Sequence, residues 1–304
     1  MKLLKKLVTF VGLSFAAVIG LVCAVSLAMI AMAFHGGVGG DSGSLDEVTS
    51  ERAVSVVDLT GEIITSEKFL ASLKKQVEND KIKGIVVRID SPGGAVGASE
   101  EIYRAIRKAV LKKPVVCALG SIAASGGLYS AVGCQKIVTN AGTLTGSIGV
   151  IMMSPNFSGI MKQVGVDMTV VKSGKYKDSG SPFREQTVED RELIQSIVNT
   201  AYGQFVKIIA DSRNLPLDKV KQFADGRIIL GEDAVKLGLV DEIGGVDRAA
   251  KLALELAKIE GEPEIMLQPK SVGIMSLFRE MPESRLFSFL RSFSASGLRY
   301  EALL

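Results

Sequence analysis

The sequence contains very little histidine, no tryptophan and few cysteines. Among 304 residues there are one histidine and three cysteines. A serine hydrolase with a histidine-based triad needs an imidazole beside its nucleophile, and a catalytic zinc site normally uses one or more. The single histidine, His35, ends a long apolar stretch and suits neither role. The scarcity therefore argues against both kinds of site, and a hydrolase of this composition is expected to use a lysine as its base.

The charge balance is close to neutral, which limits the class of partner. The 36 basic residues against 33 acidic ones give a net charge of +3. No basic stripe interleaved with aromatic residues runs through the sequence, although an electrostatic nucleic-acid surface would require one. We therefore expect no nucleic-acid partner.

The longest apolar run lies near the N-terminus and predicts a membrane anchor. Residues 7–34 carry no charge, and these 28 residues exceed the roughly 20 needed to cross a bilayer. Three lysines lie in residues 1–6, whereas acidic residues follow the run. By the positive-inside rule, residues 1–6 are predicted to be cytoplasmic, and the chain after the anchor extracytoplasmic.

Two alternatives to a permanent anchor stay open. Residues 31–33, Ala-Met-Ala, have the small-x-small pattern of a signal-peptidase site, and Cys23 could indicate lipidation. The apolar run is longer than the 7–15 residues of a signal-peptide core, however. Val22 is also bulkier than the residue that usually precedes a lipidated cysteine. Anchoring is therefore the preferred interpretation.

The rest of the chain is predicted to form a linker, one folded domain and a tail. Residues 35–52 are rich in glycine, serine and acidic side chains, which is typical of a linker. In residues 53–261, short apolar runs alternate with segments of helical period, which predicts an α/β domain with mainly parallel strands. Residues 262–304 form the tail, which either carries a short amphipathic helix or is partly disordered. The apolar residues at helical spacing there are Leu286, Phe289, Leu290 and Phe293.

The individual elements and the cysteine state are predicted from the same patterns. The predicted strands are Val54–Leu59, Ile85–Ile89, Val115–Leu119, Lys136–Thr139 and Met168–Val171. The predicted helices are Ser66–Asn79, Ala98–Val110, Ile122–Ala131 and Val188–Ser212. Cys117 and Cys134 could form a disulfide, but Cys117 ends an apolar strand and buried free thiols are common. We therefore expect two free thiols.

Two glycine-rich loops carry groups suited to acyl transfer. The loop Asp90–Gly94 follows a predicted strand, and an amide in such a loop can stabilise the oxyanion of a tetrahedral intermediate. Ser125 follows another strand and opens a predicted helix, where the amide of Gly126 would be a second donor. Taken singly, an ordinary turn and a tightly packed helix entry explain these loops equally well.

A lysine-rich loop, residues 172–178, offers candidate bases. A general base must be neutral, whereas an ordinary lysine titrates near 10.4, so burial away from carboxylates is required. Lys175 and Lys177 are both candidates, and solvated surface lysines are the plain alternative. Ser147, in the glycine-punctuated apolar run 143–150, has no evident role by itself.

Taken together and in order, these motifs resemble the signal peptide peptidase A family, also called protease IV, in its short single-domain form. The resemblance covers about residues 53–258. The motifs that carry it are Arg88–Gly94, Gly120–Gly127, Thr145–Val150, Lys172–Glu185, Ala224–Ile228 and Leu237–Gly245. It implies a crotonase/Clp-protease-like fold of repeated β-β-α units.

The resemblance also implies a serine protease with a Ser–Lys dyad. Ser125 would be the nucleophile and Lys177 the general base, with Ser147 orienting the lysine. The amides of Gly94 and Gly126 would form the oxyanion hole, and the reaction would pass through an acyl-enzyme. No metal or organic cofactor is implied.

Three neighbouring residues bear on this assignment. Motif position favours Lys177 over Lys175 as the base. Asp178 would raise the pKa of Lys177 if the two side chains met, so Asp178 is expected to point elsewhere. Leu128 stands where the family often has an aromatic residue, which leaves the details of the substrate pocket open.

The same resemblance implies partners and a location. The expected protein is a homo-oligomeric ring, tethered by one transmembrane helix to the bacterial cytoplasmic (inner) membrane, with its dyad completed within or across subunits. Its expected substrates are unfolded segments and remnant signal peptides with small or apolar side chains in the pocket.

Two other function classes remain open. A crotonase-like acyl-CoA enzyme shares the oxyanion-hole architecture, but it explains neither the extracytoplasmic placement nor the serine after Ala123-Ala124. A non-catalytic membrane scaffold on the same fold would tolerate the loss of Ser125 or Lys177.

Overall fold

The computed structural model describes residues 51–267 and 299–301. The predicted anchor, residues 7–34, and the apolar positions 286–293 of the tail lie outside these ranges. Within the described ranges, no helix combines the length and the apolar character that crossing a bilayer requires.

Strands and helices alternate along the described chain, as the apolar runs predict. The strands are β1 (Ala53–Thr60), β2 (Gly84–Ser91), β3 (Gly93–Ala95), β4 (Val115–Ala123), β5 (Lys136–Thr139), β6 (Leu144–Gly146), β7 (Ile228–Leu230), β8 (Glu242–Ile243), β9 (Glu264–Leu267) and β10 (Arg299–Glu301). The helices are α1 (Glu67–Glu78), α2 (Val96–Val110), α3 (Gly126–Ala131), α4 (Ser158–Gln163), α5 (Val188–Arg213), α6 (Leu217–Lys221), α7 (Gly231–Leu237) and α8 (Val246–Ala257).

A mainly parallel sheet organises the domain. Strand β2 lies at its centre and pairs in parallel with β1 and β4. Strands β9, β5, β6 and β8 extend this parallel arrangement, and β7 is antiparallel to β6. The predicted α/β class with mainly parallel pairing is confirmed. Because parallel strands end at the same edge, the loops after β2 and β4 lie side by side, where ligands bind in such folds.

The central strands are buried on both faces, which explains their nearly continuous apolar runs. In β2, Ile85, Val87 and Ile89 contact the layer that contains α1, α2 and α5. Val86 points to the opposite face and packs against α8, which contributes small residues such as Ala253. This alternation follows the two-residue period of a strand. Helices on both sides therefore hold the edge that carries the loops in place.

Two predicted elements differ from the structure. Met168–Val171 is not a strand: Met168 is 51% exposed and Val171 96% exposed, and no sheet pairing of this segment occurs in the described chain. The helix predicted over Ile122–Ala131 begins only at Gly126, because Ile122 and Ala123 continue β4. Ile122 pairs with Leu144 of β6, so it keeps the extended conformation.

The expectation of two free thiols is wrong, because Cys117 and Cys134 form a disulfide. Both residues are buried. After α3 the chain returns beside the start of β4, where the Gln135 amide donates to the Val115 carbonyl at 3.0 Å. This return places Cys134 next to Cys117, a proximity that sequence spacing alone does not reveal.

Reducing this disulfide should lower the free energy of unfolding by about 3 kcal/mol, because a cross-link over a loop of this size removes entropy from the unfolded chain. Urea unfolding with and without reductant measures the difference. The double variant Cys117→Ala/Cys134→Ala serves as the control and should not respond to reductant. Alkylation of both thiols in the untreated native protein would contradict the disulfide.

Candidate active site

Ser125 lies on a strained turn between β4 and α3. Its φ of 52° and ψ of −115° fall in a region that residues with a side chain rarely adopt, at a cost on the order of 1–3 kcal/mol. The Ser125 amide donates to the Gly146 carbonyl at 2.8 Å, and the Ala124 amide donates to the Ser91 carbonyl at 3.1 Å. Hydrogen bonds to the ends of two neighbouring strands, β2 and β6, therefore hold the strained conformation.

The Ser125 hydroxyl is buried in the described part of the chain and makes no hydrogen bond there. The residue is 0% exposed, and its Oγ has no hydrogen-bond partner among the residues that the structure describes. Buried polar atoms without a partner are rare in native proteins, and each needs an explanation. A hydroxyl that reacts with a bound substrate would be such an explanation.

Two glycines allow the start of α3 to approach β3 and the end of β2. A Cβ atom on Gly126 would lie 2.5 Å from Ser99 Oγ and 3.2 Å from the Gly94 amide nitrogen. A Cβ atom on Gly127 would lie 2.8 Å from the Ser91 carbonyl oxygen. Side chains at these positions would push the two segments apart. The sequence Ser125-Gly126-Gly127 therefore brings the backbone of β3 next to the turn.

The amide of Gly94 lies on the outer edge of β3. On the inner edge, Gly93 O accepts from the Ile63 amide at 2.8 Å, and the Ala95 amide donates to Ile63 O at 2.7 Å. The N–H and C=O of Gly94 therefore face the opposite edge, because successive residues of a strand alternate in direction. Strand β10 pairs antiparallel along this edge, with Tyr300 opposite Gly94. This edge thus receives an extended chain.

Ser147 lies on the turn that adjoins Ser125. It has a φ of 49°, it is 8% exposed, and its amide donates to the Arg227 carbonyl at 2.7 Å. The residue before it, Gly146, accepts the hydrogen bond from the Ser125 amide. The structure therefore brings four of the five predicted site residues together: Ser125, Gly126, Gly94 and Ser147.

Lys177 lies on an exposed loop and does not hydrogen-bond Ser125 Oγ within this one chain. Its amide donates to the Gly174 carbonyl at 3.2 Å. The rival candidate, Lys175, has its ammonium 3.5 Å from a carboxylate oxygen of Glu189. This contact directs the Lys175 ammonium toward α5.

Asp178 points away from Lys177, as expected. Its carboxylate accepts hydrogen bonds from Arg184 at 2.9 Å and from Lys172 Nζ at 2.5 Å. The Arg184 guanidinium, and after it the Lys172 ammonium, hold the pKa of the Asp178 carboxyl well below its usual range. Asp178 therefore stays charged at neutral pH and is committed to these two partners.

Arg184 connects this loop to the start of α5. Its guanidinium also contacts Asp190 at 2.6 Å, and Asp190 forms a capping box with Thr187. Arg184 is the main cause that lowers the pKa of Asp190. We call the set Lys172, Asp178, Arg184 and Asp190 the loop brace. Because both carboxyl pKa values are lowered, the stabilisation by the brace is complete above the ordinary aspartate pKa of about 3.9 and is lost as the pH falls from there through the lowered values.

The sequence reasoning missed the roles of Ser91 and Arg184. Both lie inside motifs that it had singled out, Arg88–Gly94 and Lys172–Glu185. Ser91 is one small polar residue at the end of a strand, and Arg184 is one charged residue in a loop. Neither shows a local sequence pattern that distinguishes it from an ordinary surface residue. Only the tertiary hydrogen bonds distinguish them.

Two protein families match parts of this chain. Residues 43–145 match the Clp protease family, in agreement with a Clp-protease-like α/β fold with a mixed sheet. Residues 107–260 match peptidase family S49, which is half of the chain. The chain therefore belongs to peptidase family S49, the family of signal peptide peptidase A, and it is a protease.

Individual relatives agree with this assignment. The chain is 42% identical over 215 residues to a protein from Synechocystis sp. whose name describes a protease, a match that covers 70% of this chain and 78% of that one. It is 42% identical over 181 residues to an Enterococcus faecium protein named for signal peptide peptidase SppA, with 59% and 52% covered. Over 208 residues it is 35% identical to "Serine protease SPPA, chloroplastic" of Arabidopsis thaliana, with 68% and 31% covered. The chain thus spans about half of the second relative and under a third of the third.

Gly94→Ala should abolish most proteolytic activity, because its Cβ would lie 2.2 Å from the Ile63 carbonyl oxygen and displace β3. We expect a loss of about 100-fold or more, the size seen when one oxyanion donor is removed. Gly97→Ala is the matched control, since a Cβ there meets nothing within 4 Å. Equal activity in the two variants would show that the position of β3 does not matter.

Arg184→Met should loosen the loop brace. It removes three hydrogen bonds to Asp178 and leaves the nearly buried Asp190 without its guanidinium partner. We expect faster amide hydrogen exchange over residues 172–185 and, because this loop carries the candidate base Lys177, about a 10- to 100-fold drop in kcat. Arg248→Met is the control, because Arg248 also forms ion pairs with two acidic residues, Glu242 and Glu255. Unchanged exchange in Arg184→Met would contradict the brace.

Proposed function

We propose that this protease is a serine endopeptidase with a Ser–Lys dyad, in which Ser125 is the nucleophile and Lys177 the general base. The observation that carries the proposal is the Ser125 hydroxyl, which is buried on a strained turn and has no hydrogen-bond partner in the described part of the chain. The amides of Gly94 and Gly126 beside it are suited to bind an oxyanion. The "Serine protease" in the Arabidopsis thaliana relative's name gives further support.

The reaction follows from these roles. The neutral amine of Lys177 accepts the Ser125 hydroxyl proton while Oγ attacks the carbonyl carbon of the scissile peptide bond. The amides of Gly94 and Gly126 stabilise the oxyanion, the C–N bond breaks, and the lysine returns the proton to the leaving amine. A water, deprotonated by the same lysine, then hydrolyses the acyl-enzyme and restores the Ser125 hydroxyl. Ser147 orients the amine by a hydrogen bond.

The dyad is completed across a subunit boundary in a homo-oligomeric ring. Two observations support this part of the proposal: among the described residues of one chain the Ser125 hydroxyl has no hydrogen-bond partner, and the loop of Lys177 is exposed. The segment around that loop also exposes many large apolar side chains, which is a common feature of subunit interfaces. They are Met153, Phe157, Ile160, Val164, Val166, Met168, Val170, Val171, Tyr176 and Phe183.

The substrates are peptides bound in an extended conformation, including unfolded segments and remnant signal peptides. Support comes from the outer edge of β3, which pairs with the extended strand β10 beside Gly94. Backbone pairing at such an edge gives affinity with little dependence on sequence. The name of the Enterococcus faecium relative agrees with this substrate class.

Residues 7–34 anchor the protein in the bacterial cytoplasmic membrane, with the catalytic domain on the extracytoplasmic side. The Cys117–Cys134 disulfide supports this location, because disulfides persist in oxidising compartments and are rare in the cytosol. Membership of a peptidase family disfavours the acyl-CoA enzyme. A scaffold would have no need for a strained serine, so the protease reading is preferred over both alternatives.

Ser125→Ala and Lys177→Ala should each abolish peptide cleavage, whereas Lys175→Ala should retain it. Co-assembly of the two inactive variants in equal amounts tests the subunit boundary. Random assembly of a ring should restore about a quarter of wild-type activity, because that share of interfaces joins an intact serine to an intact lysine. No recovery in verified mixed rings would place the dyad within one subunit. Activity in both single variants would refute the dyad.

A further inference from the structure

A buried serine, Ser91, joins three segments of the site. It ends β2 and is 0% exposed. Its hydroxyl donates to the Gly61 carbonyl at 2.6 Å and accepts from the Gly93 amide at 3.1 Å. Its carbonyl accepts from the Ala124 amide, directly before the proposed nucleophile. Ser91 thus connects β3, which carries the Gly94 amide and which we call the donor strand, to the turn that carries Ser125.

The donor strand depends on this contact because it begins with two glycines. Gly93 has a φ of 105° and Gly94 a φ of 155°, and residues without a Cβ have the widest backbone freedom. Two hydrogen bonds limit that freedom at Gly93: its amide donates to the Ser91 hydroxyl, and its carbonyl accepts from the Ile63 amide. In a trans peptide the carbonyl of Gly93 and the N–H of Gly94 point in opposite directions. Fixing Gly93 therefore fixes the direction of the Gly94 N–H.

We infer that Ser91 is a positioning residue of the oxyanion hole, which acts by holding Gly93 so that the Gly94 N–H faces the reacting carbonyl. The inference rests on the proposed function, in which Gly94 is an oxyanion donor. Ser91 is fully buried and acts through the backbone, so it is not itself a catalytic residue. Its effect belongs to the transition state, because the oxyanion forms only there.

The inference predicts a specific kinetic pattern for Ser91→Ala. We expect kcat to fall about 10- to 100-fold and KM to change by less than about threefold. This fall in kcat is smaller than, or similar to, the fall expected when an oxyanion donor itself is removed. A peptide aldehyde, which forms a tetrahedral adduct with an oxyanion, should bind more weakly by the same factor as the fall in kcat/KM. Ser91→Cys keeps the size but donates and accepts weakly, so it should fall between wild type and Ser91→Ala in both measurements.

Ser55→Ala is the matched control. Ser55 lies on the neighbouring strand β1, it is 0% exposed, and its hydroxyl has no hydrogen-bond partner in the described residues. This change removes a buried serine hydroxyl that, unlike that of Ser91, makes no hydrogen bond in the described residues, and it should leave kcat and aldehyde affinity unchanged. Thermal unfolding of all variants shows whether each is folded at the assay temperature.

The outcomes separate this inference from the proposed function. Wild-type kcat and aldehyde affinity in folded Ser91→Ala would overturn the positioning role, even if Ser125→Ala is inactive. A drop in stability with unchanged kinetics would assign Ser91 a structural role only and would also overturn it. If Ser91→Ala does not fold, Ser91→Cys alone tests the positioning role. In that variant, aldehyde binding must weaken by the same factor as kcat/KM falls, and wild-type values of both would overturn the role. Activity in Ser125→Ala would instead refute the proposed function.

Discussion

The site depends on the contact between the ends of two parallel strands. Strand β2 ends at Ser91 and strand β4 leads to Ser125, and the hydrogen bond from the Ala124 amide to the Ser91 carbonyl joins them. A second bond, from the Ser125 amide to the Gly146 carbonyl, ties in the following turn. Because helices bury both faces of the sheet, these ends cannot separate without disturbing the core. A rigid sheet edge thus supports a strained serine.

The sequence predicts much of this arrangement, for physical reasons. Strands buried on both faces have long apolar runs, so β1, β2 and β4 are readily recognised, and parallel pairing then places their loops at one edge. Contacts that depend on the tertiary course of the chain are not predictable in this way. The disulfide of Cys117 depends on the return of the chain after α3, and the extension of β4 through Ile122 depends on its pairing with β6.

The segment around Lys177 explains why one prediction failed. Met168–Val171 has the apolar character of a strand, yet in one chain it is exposed and unpaired within the described residues. A composition that favours burial combined with an exposed location is consistent with the proposed subunit interface. The loop brace, in contrast, is complete within the chain, because Arg184 holds the loop to the start of α5. One chain therefore holds the loop of Lys177 in place by itself. In the proposed assembly, this lysine reaches Ser125 of a neighbouring subunit.

The most direct test of the account is the chemical identity of the acylated residue. A slowly hydrolysed ester substrate, mixed with the full-length protein and quenched in acid, should leave an acyl group whose site peptide mapping by mass spectrometry can locate. If Lys177 activates Ser125, one adduct forms, on the peptide that contains Ser125, and none forms in Lys177→Ala. An adduct on another residue, or turnover without any adduct when deacylation is made rate-limiting, would contradict it.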